Sequence, residues 1–372
     1  MTANSTKERK NCIKIATTFS GIGAAEFALK RLKIDYELIF ACDNGELELT
    51  ESEDKIKEAL EQLRDPHEKK RYIDSIVPQK KTNFVKQSYM ANYDIDEANY
   101  HHDVRFLDGT QYKEQVDIFV GGSPCQSFTL FGYQKGLEEA RGTLFYDFAR
   151  LISEIKPKVF IYENVQGLVK HDGGRTWKVV QRVFDGLGYN VHYQILDAAD
   201  YGIPQKRRRI FIVGFKDHDS IFSFPSTKEL KYTMQDFLIE NAADGNFVAK
   251  GDGIHIIKSA GIIDDKYYLS DRVLPGIMSH GTNGFSMKPE IDLKIARPLM
   301  STMHKLHRAG VDNYVTTNGR IRRLTPRECL RLMGFTDDFK QVVSNTQMYR
   351  QAGNSVVVDV LMALFKEIIK EL

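Results

Sequence analysis

Val116-Asp117-Ile118-Phe119-Val120-Gly121-Gly122-Ser123-Pro124-Cys125-Gln126-Ser127-Phe128 reads as a strand that ends on two glycines, a turn and a thiol. The apolar run over 116–120 has the length and composition of a strand buried on both faces, as in a parallel sheet. Gly121-Gly122 ends it, Pro124 turns the chain, and Cys125 follows just past the strand's carboxyl end. Sheets of the α/β class bind their ligands at that edge. Most cysteines are small buried hydrophobes. One delivered to this edge is a nucleophile candidate.

Working outward, apolar runs at 13–19, 36–42, 158–162 and 209–215 read as further strands, and 24–33, 143–155 and 176–187 as amphipathic helices. That alternation predicts an α/β chain with a doubly wound, mostly parallel sheet. Residues 46–80 break the rhythm with a charged, helix-prone block, expected to be a solvated helical insertion. From 216 to 295 the alternation disappears and glycines recur at 245, 251, 253, 261, 276, 281 and 284. A smaller, loop-rich domain is expected there. An apolar-periodic helix over 355–372 closes the chain. The expected division is a large domain, 11–215 completed by 345–372, and a small one, 216–344.

The chain has 372 residues, 42% of them apolar, and a formal charge of only +2, so any surface for a polyanion has to be local. Four cysteines, at 12, 42, 125 and 329, show neither metal-ligand spacing nor disulfide density. No metal site is expected. The first ten residues lack an apolar leader core, and no apolar run reaches the ~18 residues of a membrane span. These features predict a soluble protein of a reducing cytosol.

Two further constellations share the predicted sheet edge. Ala16-Thr17-Thr18-Phe19-Ser20-Gly21-Ile22-Gly23-Ala24-Ala25 is strand, glycine turn, helix, a geometry in which backbone approaches a ligand over a helix N-terminus. Asp43, about twenty residues past Gly23 at the end of the second strand, suits ribose hydroxyls. Asp103 could accept from an adenine amino group; for either acid the plain alternative is a surface carboxylate or a helix cap. On the other side, Glu163 ends the strand that begins at Lys158, followed by Asn164, and Gln205-Lys206-Arg207-Arg208-Arg209 leads into the last strand. Thiol, carboxylic acid and arginines together suit covalent catalysis better than a metal.

FSGIGA (19–24), GGSPCQSF (121–128), RGTLF (141–145), ENV (163–165), QKRRR (205–209), RRLTPRECLRLMGF (322–335) and QAGNSVV (351–357), in that order, resemble the DNA (cytosine-5)-methyltransferase family. Members of bacterial restriction–modification systems are the most similar in length. The resemblance covers nearly the whole chain outside 1–10, 46–80 and 216–295. It implies a Rossmann-like catalytic domain, a target-recognition domain, S-adenosylmethionine as cofactor and double-stranded DNA as substrate. It further implies that Cys125 attacks ring carbon 6 of a flipped cytosine and that Glu163 stabilises charge at ring N3, with Arg207 and Arg209 holding the base carbonyl and a nearby phosphate. Cofactor contacts would come from Phe19, Gly21, Ile22, Gly23, Asp43, Asp103, Pro124, Asn354 and Ser355. DNA contacts would come from Gln126, Phe131, Arg141, Arg323 and Arg327, with 126–142 a loop that closes over DNA and Phe131 either filling the space the base leaves or simply anchoring the loop.

Basic residues cluster at Lys294, Arg297, Lys305, His307 and Arg308, and again at Arg320, Arg322, Arg323, Arg327 and Arg331, patterns suited to phosphates. Thr325 and Glu328 have capping-box spacing and read as structural. Ser279, Asn283 and Lys288 are possible base readers in an unranked set. Ala24 stands where the family often has glycine, Asp43 where glutamate is commoner, and Asn44 where an apolar residue often stacks on adenine. The implied setting is a cytoplasmic, nucleoid-associated bacterial monomer with a cognate restriction endonuclease acting on the same site. Two other readings share the motifs: a tRNA-modifying branch and a catalytically silent DNA binder. A nicotinamide-dependent oxidoreductase would share only the glycine turn.

Overall fold

In the computed structural model of this chain, the described residues are 12–124, 144–282 and 284–372. Seven strands form one sheet: β1 (Ile13–Thr18), β2 (Tyr36–Cys42), β3 (Tyr100–His101), β4 (Ile118–Gly121), β5 (Val159–Val165), β6 (Asn190–Asp197) and β7 (Arg208–Phe215). Their order is β3-β2-β1-β4-β5-β7-β6. All neighbours run parallel except β7, which is antiparallel to both β5 and β6. The predicted doubly wound sheet is present. Two strands lay below sequence reading: β3 has two residues, and β6 is an edge strand whose central Tyr193, Gln194 and Ile195 are exposed, so it carries no apolar run.

Side chains two apart share a face of a strand. Ile118, Val159 and Ile161 therefore enter one apolar layer, while Phe119, Phe160 and Tyr162 enter the other. The helices are α1 (Ala24–Leu32), α2 (Glu53–Gln62), α3 (Pro66–Ser75), α4 (Phe84–Asn92), α5 (Leu144–Ile155), α6 (Arg175–Asp185), α7 (Leu274–Ile277), α8 (Pro326–Leu332), α9 (Asn345–Asn354) and α10 (Val358–Ile368). α1 and α10 cover the first layer; α5 and α6 cover the second. α2 and α3 make up most of the charged insertion. Each buries a single isoleucine, Ile56 and Ile73, in a small cluster with Ile76 and Phe106. Asp65 starts α3 by accepting from the His67 amide at 2.9 Å, with Pro66 in the first turn.

The described strands of residues 216–344 form short hairpins, β8 (Phe247–Lys250) with β9 (Gly253–Ile256), β10 (Gly281–Thr282) with β11 (Phe285–Ser286), and β12 (Tyr314–Thr317) with β13 (Arg320–Arg323), beside the short helices α7 and α8. Part of this stretch is continuous with the main core. Phe237, Phe247, Leu299 and Leu330 belong to the same cluster as α1 and α10. Ile277, Ala309 and Tyr314 form a separate one. α8 opens with the expected capping box, in which the Thr325 amide donates to Glu328 Oε2 at 2.7 Å and the Glu328 amide to Thr325 Oγ1 at 3.2 Å.

One buried ion pair ties the chain's ends together. Arg31 of α1 donates to Asp359 of α10 at 2.7 and 3.1 Å and to the Gly334 carbonyl at 2.8 Å. Replacing Arg31 by Met leaves the Asp359 carboxylate without its cation. Urea unfolding of Arg31→Met is expected to show a loss of about 3–5 kcal/mol.

Candidate active site

The carboxyl ends of β1, β2, β3 and β4 lie side by side, and the order reverses between β1 and β4. Beyond β1 the chain makes a tight turn with positive φ at Phe19 (52°), Gly21 (54°) and Gly23 (76°). A β-carbon on Gly21 would meet nothing nearer than the Phe19 carbonyl at 3.9 Å, so the turn presents bare backbone to open space. Asp43, past the end of β2, accepts from the Gly21 and Gly45 amides, both at 2.8 Å. Burial pushes its carboxyl up from the usual value while those amides pull it down. Two carboxylate oxygens hold about four lone pairs, so acceptor capacity for ribose hydroxyls remains. The structure brings the glycine turn and Asp43 together through the Gly21 amide.

Other expected cofactor residues sit differently. The Ile22 side chain is buried in the core, which leaves only its backbone for a ligand. Asp103 is buried, accepts from the Arg105 amide at 2.9 Å and holds the Arg105 guanidinium at 2.6 Å. Its carboxylate thus caps a short turn and neutralises an arginine. Asn354 is exposed at the end of α9. Ser355 is buried, its hydroxyl 3.2 Å from the Val356 carbonyl.

At the neighbouring edge, Glu163 points from β5 to Arg209 of β7, Oε1 to Nε 3.0 Å. The register explains this contact: Glu163 pairs with Phe211, and Arg209 lies two residues along on the same face. Burial raises the Glu163 carboxyl above its usual value, against the lowering effect of Arg209 and then Arg207. Gly122 lies directly against Glu163. A β-carbon there would be 2.7 Å from the Glu163 carbonyl oxygen and 3.1 Å from Oε2. The opposite face of β5 holds the approach to Cys125. Asn164 Nδ2 donates to the Ser123 carbonyl at 2.9 Å and to Tyr162 Oη at 3.0 Å, and the Tyr162 and Ser123 hydroxyls are 2.7 Å apart. Tyr162 and the Ser123 hydroxyl were missed from sequence, although the period-2 spacing of 162 and 164 marks their shared face. Pro124 is exposed. Cys125, Gln126, Phe131 and Arg141 lie outside the described residues, as does the expected closing loop 126–142.

The profile of the C-5 cytosine-specific DNA methylase family matches residues 56–370. This chain belongs to that family. The Type II methyltransferase M.HhaI of Haemophilus parahaemolyticus is 38% identical over 260 residues, which cover 68% of this chain and 77% of the relative. The Type II methyltransferase M.SsoII of Shigella sonnei is 34% identical over 303 residues, 78% of this chain and 72% of the relative. Among solved structures, the Dnmt2 methyltransferase of S. pombe superposes with a TM-score of 0.67 at 17% identity, covering 96% of this chain and 98% of the other. The Entamoeba histolytica methyltransferase EhMeth gives 0.57 at 14%, covering 97% and 99%. At such identities these two speak for the fold alone. The enzyme is a DNA cytosine-5 methyltransferase, and its family's chemistry requires a methyl donor.

Several arginines of this methyltransferase do work other than that expected. Arg207 is buried; its two Nη atoms donate to the carbonyls of Leu299 (2.8 Å), Gly353 (2.9 Å) and Ser355 (2.8 Å). It fastens the last family motif to the base of β7, leaving Arg209 as the arginine in contact with Glu163. Arg322 and Arg331 are fully buried, paired with Glu240 and Glu328 and with Asp337. The second basic cluster is therefore in part internal bracing, because a buried guanidinium needs acceptors on all sides. Arg327 pairs with Asp244 at 2.9 Å and donates to the Phe339 carbonyl at 2.9 Å, which commits it to the protein. Arg323 lies over the rings of Tyr349 and Tyr267, 5.1 and 5.8 Å from their centroids. Among the described residues no group of three His, Cys, Asp or Glu could hold a metal, and no helix is long and apolar enough to cross a membrane.

Gly122→Ala forces a methyl group into the Glu163 backbone and carboxylate. It is expected to lower methyl transfer at least tenfold and to cost about 1–3 kcal/mol in thermal unfolding.

Proposed function

We propose that the enzyme methylates a cytosine flipped out of double-stranded DNA, with Cys125 as nucleophile, Glu163 as acid and S-adenosylmethionine as donor. The carrying observation is the Glu163 carboxyl, held by Arg209, raised by burial and packed against Gly122, three residues before Cys125 in the chain. Carbon 5 of cytosine is a weak nucleophile. Thiolate addition at carbon 6 turns carbon 5 into an enamine-like centre, and a protonated Glu163 hydrogen-bonds ring N3 as charge builds there. Removal of the carbon 5 proton after methylation then releases the thiol.

The bare turn at Gly21 and the remaining acceptor capacity of Asp43 fit the backbone and ribose contacts that S-adenosylmethionine needs. When bound, that cofactor supplies an electrophilic methyl group. Asp43 orients its ribose, Phe19, Gly21, Ile22 and Gly23 line its path with backbone, and Pro124, Asn354 and Ser355 wall the pocket. Arg209 tunes Glu163 and holds the base carbonyl. Arg207 acts as a positioning residue, keeping 353–355 against β7.

In this reading 11–215 with 345–372 is the catalytic domain, 216–344 recognises a short DNA sequence, and 46–80 is an accessory insertion. Both curated relatives named above are Type II methyltransferases. The proposed setting is accordingly a restriction–modification system, in which a monomeric cytoplasmic enzyme protects DNA from an endonuclease acting on the same site.

The test is transfer of labelled methyl from S-adenosylmethionine to unmethylated genomic DNA, with the modified base and its flanking sequence read out. Wild type is expected to give 5-methylcytosine at one short motif, and Cys125→Ser none. Unmodified DNA beside methylated tRNA would overturn the DNA reading. Glu163→Gln is expected to lower kcat by about 10²–10⁴ while DNA binding persists. The reactive form of Glu163 is protonated, so wild-type activity declines as pH rises through its raised value. The pH–rate profile of Glu163→Gln should lack that limb.

A further inference from the structure

The helix α4, which none of the recognised family motifs includes, touches three separate parts of the cofactor edge. At its N-terminus, Asn83 accepts from the Lys86 amide at 2.8 Å and places Nδ2 3.3 Å from the Asp43 carbonyl. Asn83 also fills the space beside Gly45, where a β-carbon would fall 2.0 Å from Asn83 Oδ1. In mid-helix, the Ser88 hydroxyl donates to Gln351 Oε1 at 2.8 Å, and Gln351 Nε2 returns to the Phe84 carbonyl at 2.9 Å. Just past the helix, the Tyr93 hydroxyl lies 2.5 Å from the Gly23 carbonyl and 3.0 Å from that of Ile22. Its ring occupies the place of a Gly23 side chain, since a β-carbon there would be 2.2 Å from Tyr93 Cε2.

We infer that α4 and its flanks set the shape of the cofactor pocket, with Tyr93 and Ser88 as positioning residues for the glycine turn and for the 351–355 segment. The physical reason is leverage. Gly21 and Gly23 have φ values that cost other residues energy and leave a flexible chain in glycine. A turn of that kind keeps one shape only when something outside it holds its carbonyls. The single Tyr93 hydroxyl proton is shared between two of them, those of Ile22 and Gly23, and so stiffens the turn. Ser88 and Phe84 hold Gln351 at both ends of its amide. That grip anchors α9 three residues before Asn354. Both ties are made by the same helix, which couples the two walls of one pocket.

This inference rests on the cofactor reading above, and the experiment separates the two. Binding of S-adenosylhomocysteine is measured by calorimetry at 10 °C, below the Tm measured for each variant, together with KM for S-adenosylmethionine, KM for DNA and kcat. The variants are Tyr93→Phe, Ser88→Ala and, as a control, Tyr189→Phe, which removes a comparable buried hydroxyl bond to the Pro157 carbonyl (2.7 Å) on another part of the core. For Tyr93→Phe and Ser88→Ala, affinity for S-adenosylhomocysteine is expected to fall between about three- and tenfold, the effect of one lost neutral hydrogen bond. KM for S-adenosylmethionine should rise with it, while kcat and KM for DNA hold. Tyr189→Phe should lower Tm to a similar degree and leave affinity unchanged. If wild type itself does not bind S-adenosylhomocysteine, the cofactor reading falls. If wild type binds and both α4 variants bind equally well, or if the control weakens binding as much as they do, the inference about α4 is overturned.

Discussion

The enzyme is organised by a geometric constraint between β1 and β4. α1 leaves β1 for one face of the sheet, and α5 precedes β5 on the other. Crossover connections that part in this way leave a crevice above the strand ends, bounded by turns rather than by a packed helix. Among the described residues, the glycine turn, Asp43 and Glu163 all lie along that rim. The glycine turn follows β1, Asp43 follows β2, and Gly122-Ser123-Pro124 follows β4. Glu163 stands near the end of β5, and the antiparallel β7 delivers Arg209 to it. Reversing β7 is what makes this contact possible: the QKRRR segment then enters the sheet at the same edge where β5 leaves it.

The two halves of the site are held by different physics. Around Glu163 a carboxyl is largely withdrawn from water and attracted by Arg209 and, more weakly, by Arg207, so desolvation and Coulomb attraction oppose each other and desolvation prevails. Around Asp43 the donors are backbone amides, whose positions are fixed by a turn of unusual dihedral angles. The first arrangement controls a proton. The second presents hydrogen-bonding capacity in a set geometry. Gly122 serves the first by having no side chain, and Gly23 serves the second in the same way; the Glu163 carbonyl and carboxyl use the space at Gly122, and the Tyr93 ring uses it at Gly23.

Buried arginines carry much of the remaining architecture. Arg31, Arg207, Arg322 and Arg331 each join segments far apart in sequence, and each does so through carbonyls or carboxylates that would otherwise be unpaired in the interior. A guanidinium suits this use because it offers five donors in a plane and stays charged. It is also why a run such as Arg320-Ile321-Arg322-Arg323 misleads. Arg320 and Arg322 are two apart and share a face of β13, yet Arg320 lies on the surface with Asp265 while Arg322 lies in the core with Glu328, because different segments pack over the two positions.

The sheet's strands with continuous apolar runs, the helices between them, the charged insertion and the glycine–Asp43 pairing were all legible in the linear chain. Each depends on local periodicity or on a short motif whose geometry is intrinsic to its residues. The family was legible for the same reason, since its motifs are short and ordered. The edge strand β6 was hidden because exposure on both faces erases the apolar pattern. What only the tertiary structure decided is which partner each polar group meets. The assignment of Arg207 to carbonyls and Arg209 to Glu163, of Arg327 to Asp244, and of Tyr93 to the glycine turn depends on strand register and on packing between segments up to 148 residues apart. Sequence shows that a side chain can donate a hydrogen bond; only the folded chain determines what lies within reach of it.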